Sequence, residues 1–139
     1  MTLTVTPHLN FRGQARAALD FYKGVFGGEQ MLVTYGDMGQ AAAPDEAGQI
    51  MWGQVASDDG FRIMAFDVPA ARPFDAGANA FFVALRGSSA EEIEARWKAL
   101  ADGATILQPL GPAPWSARYG MLTDRFGVTW VVDVEQGAA

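Results

Sequence analysis

The chain has 139 residues, half of them apolar, with 10 basic against 16 acidic side chains, a net charge of −6, no cysteine and a single histidine. That length and apolar content suit one soluble domain with a buried core. The acid excess argues against whole-surface binding to nucleic acid or to anionic membranes, and the missing cysteines exclude disulfides, thiolate metal ligands and cysteine nucleophiles.

No charged stretch leads into an apolar one at the N-terminus, and no apolar run approaches the ~18 residues of a membrane helix, so a cytoplasmic location is expected by default. Leu3, Val5, Leu9 and Phe11 alternate with Thr4, Thr6, His8 and Asn10, which predicts a first strand with one apolar face, interrupted at Pro7. Next, Ala15, Ala18, Leu19, Tyr22, Val25 and Phe26 recur at helical spacing before a Gly27-Gly28 stop, so Gly13 to Gly28 predicts a helix with a core-facing stripe. Met31 to Tyr35 reads as a strand.

The stretch from Gly36 to Gln49, GDMGQAAAPDEAGQ, reads as a long loop, either a surface loop or a lid, with Asp37 and Met38 at its start. Ile50 to Ala56 predicts a strand with Ile50, Trp52 and Gln54 on one face and Met51, Gly53 and Val55 on the other. Together with the apolar run ending at Val68, which holds Met64, it forms a β-hairpin around Asp58-Asp59-Gly60. PAARPFDAGAN, with two prolines and four alanines, reads as a linker.

After the linker the plan repeats. Phe81 to Leu85 predicts a strand, and Ser88 to Gly103 a helix with a capping box at Ser89 and Glu92 and a stripe of Ile93, Trp97 and Leu100. Ala104 to Gln108 predicts another strand. GPAPWSARYG, residues 111 to 120, reads as a loop that holds Trp115 near Arg118 and Tyr119, an arrangement of aromatic and guanidinium able to grip a planar or anionic ligand. A hairpin turning at Thr123 to Gly127 closes the chain, with Val128, Trp130, Val132 and Val134 on one face of its last strand and Thr129, Val131 and Asp133 on the other.

The order strand, helix, strand, hairpin therefore occurs twice. It predicts an α+β fold of two βαβββ modules in a single domain: module one about 1–68, a linker about 69–78, module two about 79–136. His8 has three readings at this stage: a satisfied polar residue, a group that hydrogen-bonds a ligand, or a general base, the last lacking any orienting partner that the sequence identifies.

Four segments carry a resemblance to a known family: PHLNFRGQARAALDFYKGVFGG (residues 7–28), TYGDM (34–38), IMWGQV (50–55) and WSARYGMLTDRFGVTWVVDV (115–134). In this order the chain resembles the vicinal oxygen chelate superfamily, the glyoxalase, bleomycin-resistance and extradiol-dioxygenase group, and within it the PhnB-like branch. The resemblance implies two U-shaped mixed sheets with helices outside, a ligand or metal in the concave space, and a homodimer. Metal ligands of the family, carried over, fall on Thr6 or Pro7, on Trp52 (commonly histidine in PhnB-like relatives), on Ala80 and on Val131. That set is incomplete for a divalent cation, and His8, Gln54 and a loop acid make at most a poor substitute, so no cofactor is expected. If Val131 faces the ligand, Trp130 packs beneath a helix.

Two functions follow from the resemblance. One is a metal-independent small-molecule binding protein with an aromatic-lined cleft, contacts coming from Trp52, Met64, Trp115 and Tyr119, orientation from Gln54 and Arg118, and further candidates in His8 and Asp37. Trp130 reads either as part of that lining or as core. The other is a metal-dependent glyoxalase-, isomerase- or dioxygenase-like enzyme acting on vicinal oxygens. The methyltransferase label attached to PhnB-like proteins has no counterpart here, since no Gly-rich loop leads from a strand into a helix.

Overall fold

The protein is described from a computed structural model over residues 3–135. The chain divides into two compact units, Met1–Ala76 and Gly77–Ala139. The first contains β1 (His8–Phe11), α1 (Ala15–Phe26), β2 (Glu29–Thr34), β3 (Ile50–Ala56) and β4 (Arg62–Asp67). Its sheet has the order β1-β4-β3-β2, with β1 parallel to β4 and the other pairs antiparallel. The second unit repeats this with β5 (Val83–Gly87), α2 (Ala90–Leu100), β6 (Thr105–Ala113), β7 (Ser116–Thr123) and β8 (Thr129–Val134), in the order β5-β8-β7-β6. Each unit is thus a βαβββ module with a four-stranded mixed sheet, the α+β architecture that the duplicated sequence predicts.

Each helix covers one face of its own sheet. In α1 all six stripe residues, Ala15, Ala18, Leu19, Tyr22, Val25 and Phe26, are buried, as the 3.6-residue period requires. The sheet approaches so closely at Gly53 that an added Cβ would collide with the Leu19 side chain. In α2 the Ser89 side chain accepts a hydrogen bond from the Glu92 backbone N–H, and Ile93 and Leu100 are buried.

Three sequence expectations are corrected. The first strand begins at His8, while Leu3 and Val5 are 95% and 98% exposed: β4 pairs with β1 only from His8 onward, and alternation without a partner strand forms no ladder. For the same reason the fifth strand starts at Val83, leaving Phe81 outside it and exposed.

The second correction concerns β3. Val33 pairs with Trp52 but Thr34 pairs with Ile50, so Met51 is the extra residue of a β-bulge. The bulge reverses the side-chain phase, and Ile50 joins Gly53 and Val55 on the buried helix side instead of sharing a face with Trp52 and Gln54.

The third is the supposed loop at 111–120. It is a hairpin, with Ala113 opposite Ser116 and only Pro114 and Trp115 between the strands. Pro109 and Pro112 sit in β6, an edge strand with several register shifts, where a missing N–H is tolerated. The region looked like a loop because proline normally excludes a strand interior.

Two buried carboxylates tie strands and turns together. Asp67, 1% exposed, accepts backbone N–H bonds from Gly13 (2.8 Å) and Ala15 (3.0 Å) at the start of α1 and from Ile50 (2.9 Å) in β3. Asp124 accepts from the Phe126 and Val128 N–H groups across the β7–β8 turn and from the Trp130 indole. Asp67 and Asp133, although they end similar FDV and VDV runs, are not equivalent: Asp67 lies on the helix side of its sheet and Asp133 on the opposite side, a one-residue difference in phase.

Candidate functional site

The face of the first sheet turned away from α1 is built by side-chain alternation on four strands. His8 pairs with Met64, Met64 with Gln54, and Gln54 with Met31, so these four form one row straight across the sheet. The next row runs Asn10, Phe66, Trp52, Val33: Asn10 pairs with Phe66 and Val33 with Trp52, while Trp52 and Phe66 flank the paired Gly53 and Ala65. Trp52, Gln54, Met64 and Phe66 are half-buried, and Met31 is 58% exposed.

In the middle of this face Met64, Phe66 and Trp52 stand beside Gln54, and His8 and Asn10 make a polar margin on β1. At that margin the His8 ring stands edge-on to Phe66, centroids 5.1 Å apart with the planes at 70°. Its Nδ1 lies 2.9 Å from Asn10 Oδ1. Sequence reading found no residue to orient His8, yet the partner lies two positions along the same strand, on the same face. Phe66 and Met31 were also missed. Asn10 and Phe66 keep period-2 phase with His8 and Met64, but only the parallel pairing of β1 with β4 brings the two strands together.

His8, Trp52, Gln54 and Met64 are therefore assembled on one face. The other sequence-predicted residues lie elsewhere. Asp37 is in the turn after β2, where its Oδ2 accepts the Thr34 N–H (3.1 Å) and its own N–H bonds the Thr34 hydroxyl (3.0 Å). Hydrogen bonding of the carboxylate by Thr34, from its backbone N–H first and its side chain second, holds the Asp37 carboxyl below its usual titration range. Asp37 thus closes its own turn. The adjoining Tyr35 is core, and its hydroxyl donates to the Asp67 carbonyl at 2.6 Å. Burial first, then the Asp67 charge, pushes the Tyr35 phenol upward.

In the second unit, β7 separates the three residues that sequence grouped. Tyr119 lies with Met121 on the face away from α2, and Trp115 stands edge-on to Tyr119 at 5.2 Å and 75°. Arg118 has the opposite phase, with buried Ser116, Gly120 and Leu122, and its Nε bonds Glu94 of α2 at 2.6 Å. The guanidinium and the Trp115–Tyr119 pair therefore occupy opposite sides of the sheet. Trp130 is fully buried on the helix side, with its indole bonded to Asp124 at 2.9 Å, and is core. Val131 shares the open side with Met121, its partner in β7, as strand parity required.

The residues at the carried-over ligand positions do not fit a divalent metal. Trp52 and Val131 project from open faces with no oxygen or nitrogen donor that ligates a cation, Ala80 offers no side-chain donor, and Thr6 offers one hydroxyl. Among the described residues no group of three or more His, Cys, Asp or Glu side chains converges to hold a metal ion.

Comparison with known proteins agrees with this architecture. A sequence profile of the Glyoxalase/Bleomycin resistance protein/Dioxygenase superfamily matches residues 7–132. Protein PA1353 from Pseudomonas aeruginosa superposes with a TM-score of 0.86 and 35% identity, over 98% of this chain and all of that one. A Bacillus cereus protein described as a putative 3-demethylubiquinone-9 3-methyltransferase, PhnB protein, superposes with a TM-score of 0.75 and 25% identity, over 96% of this chain and all of its own. Protein YjdN of Escherichia coli (strain K12) is 25% identical over 95% of both chains. No helix among the described residues is long and apolar enough to cross a membrane.

Proposed function

Because the chain belongs to the glyoxalase/bleomycin resistance protein/dioxygenase superfamily, we propose that it is a small-molecule binding protein whose ligand lies on the open face of the first sheet. The observation that carries this reading is the register His8–Met64–Gln54–Met31 beside Asn10–Phe66–Trp52–Val33. It sets a thioether and aromatic floor between two polar side chains. His8 and Gln54 flank Met64, so their backbones stand roughly 10 Å apart at about 4.8 Å per strand, a span suited to a fused two-ring heteroaromatic. Apolar contact supplies about 25 cal/mol per Å² removed from water, and the two polar groups fix orientation.

The donor set does not support metal-dependent chemistry on vicinal oxygens, and no step is assigned to a metal. Nor does the methyltransferase in the Bacillus cereus relative's description carry over, since Arg12-Gly13-Gln14, which joins β1 to α1, holds one glycine and is not a Gly-rich strand-to-helix loop that would cradle a nucleotide-like cofactor.

The test is a fragment set of fused heteroaromatics screened by ligand-observed NMR, with hits titrated against tryptophan fluorescence. Trp52→Ala is expected to weaken the hits at least tenfold with circular dichroism unchanged; equal affinity in a folded variant sinks the assignment. Stoichiometric nickel, zinc, manganese or iron(II) binding together with metal-dependent turnover of a vicinal-oxygen substrate overturns it in favour of the enzyme.

A further inference from the structure

The contact between His8 and Asn10 determines more than orientation. An amide oxygen only accepts hydrogen bonds, so a bond from the His8 ring to Asn10 Oδ1, 2.9 Å from Nδ1, requires the neutral tautomer with its proton on Nδ1, in which Nε2 carries the lone pair. Phe66 restrains the ring plane through its edge-on contact. Among the described residues β1 pairs with β4 alone and is an edge strand of its sheet.

We propose that Asn10 locks His8 in the Nδ1–H tautomer, and that the open face of the first sheet thereby selects ligands that bring an N–H or O–H donor to Nε2. This rests on the binding face proposed above and specifies its ligand class. The apolar neighbours Met64, Phe66 and Trp52 sharpen the selection. A ligand that covers them and offers no donor strips water from Nε2 and leaves it unpaired, and sites built around such a polar contact reject the analogue lacking it. His8 acts here as a specificity-determining acceptor; no proton is transferred.

The tautomer is testable without any ligand. Long-range proton–nitrogen correlation spectra of the intact protein at about pH 8, above the range in which imidazoles titrate, are expected to show a protonated Nδ1 and an unprotonated Nε2, and Asn10→Ala is expected to shift the ring toward Nε2–H. A wild-type spectrum with Nε2 protonated overturns the proposal.

The ligand class is tested with quinolin-2(1H)-one and its N-methyl analogue. Wild type is expected to bind the N–H compound at least tenfold more tightly, and His8→Phe, which retains an aromatic ring, to bind the two alike at the level of the N-methyl compound. Equal wild-type affinity for the pair, with both weakened by Trp52→Ala, overturns the acceptor role and leaves the binding face standing. Affinities that Trp52→Ala leaves unchanged, or no binding of either compound at millimolar concentration, overturn the face and the selection together.

Discussion

The indole Nε1 of Trp130 donates to Oδ2 of Asp124 at 2.9 Å, in an interior where Trp130 is fully buried and Asp124 is 4% exposed. Asp124 Oδ1 meanwhile accepts from Phe126 and Val128, so one carboxylate joins the β7–β8 turn to the largest core side chain of the second unit. Asp124→Ala removes all three bonds and leaves a buried indole N–H unsatisfied, an expected loss of about 3–5 kcal/mol. Asp124→Asn keeps the turn bonds but opposes an amide N–H₂ to the indole N–H, an expected loss of about 2 kcal/mol. Urea unfolding of the two variants checks the order; an Asn variant as damaged as the Ala variant refutes the division of labour between the oxygens.

Gly28 and Gly24 provide a matched pair. Gly28 has φ +93°, and an added Cβ would lie 2.8 Å from the Ala56 carbonyl carbon and 2.9 Å from Ser57 Cα, both backbone atoms. Gly24, inside α1 and exposed, has nothing within 4 Å of the same construction. Gly28→Ala is therefore expected to destabilise by about 2–4 kcal/mol and Gly24→Ala to stabilise by about 0.5–1 kcal/mol. Thermal unfolding should move in opposite directions for the two.

Tyr35 sets a pH dependence whose direction is fixed by its raised titration point. Its ionisation is opposed in the folded state by burial and by Asp67, so the unfolded chain releases the phenolic proton first as pH rises past about 10. The contribution is present below that pH and is lost above it. Tyr35→Phe also removes the bond to the Asp67 carbonyl and is expected to be less stable near neutral pH. Measured from about pH 8 to 11, the wild-type advantage over Tyr35→Phe should shrink; an advantage that is constant or grows contradicts the assignment.

Arg118 and Trp115, close in sequence, stand on opposite sides of β7 with different partners, Glu94 for one and Tyr119 for the other. Arg118→Ala removes a partly exposed ion pair and is expected to cost under about 1 kcal/mol, and Trp115→Ala an edge-to-face contact of about 0.5–1.5 kcal/mol. The double variant should be additive to within about 0.5 kcal/mol. A coupling energy above about 1 kcal/mol would mean that the two act as one unit.

By itself the sequence determined the duplicated βαβββ order, the complete buried stripe of α1 and the capping of α2 at Ser89. Each is local, decided by a 3.6- or 2-residue period or by a cap three residues away. The tertiary structure decided what depends on pairing. Leu3 and Val5 alternate perfectly and form no strand, because no partner strand runs beside them. A single extra residue at Met51 moved Ile50 to the core and left Trp52 and Gln54 on the open side. The prolines of β6 lie in a strand because that strand is an edge. The candidate site was half legible: parity put Trp52 with Gln54, but the row that adds His8 and Met64, and the edge-on contact of His8 with Phe66, come from the register of β1 against β4. That register joins residues more than fifty positions apart. The alternating apolar pattern decides which face of each strand is buried, but it does not say which distant strand lies beside it.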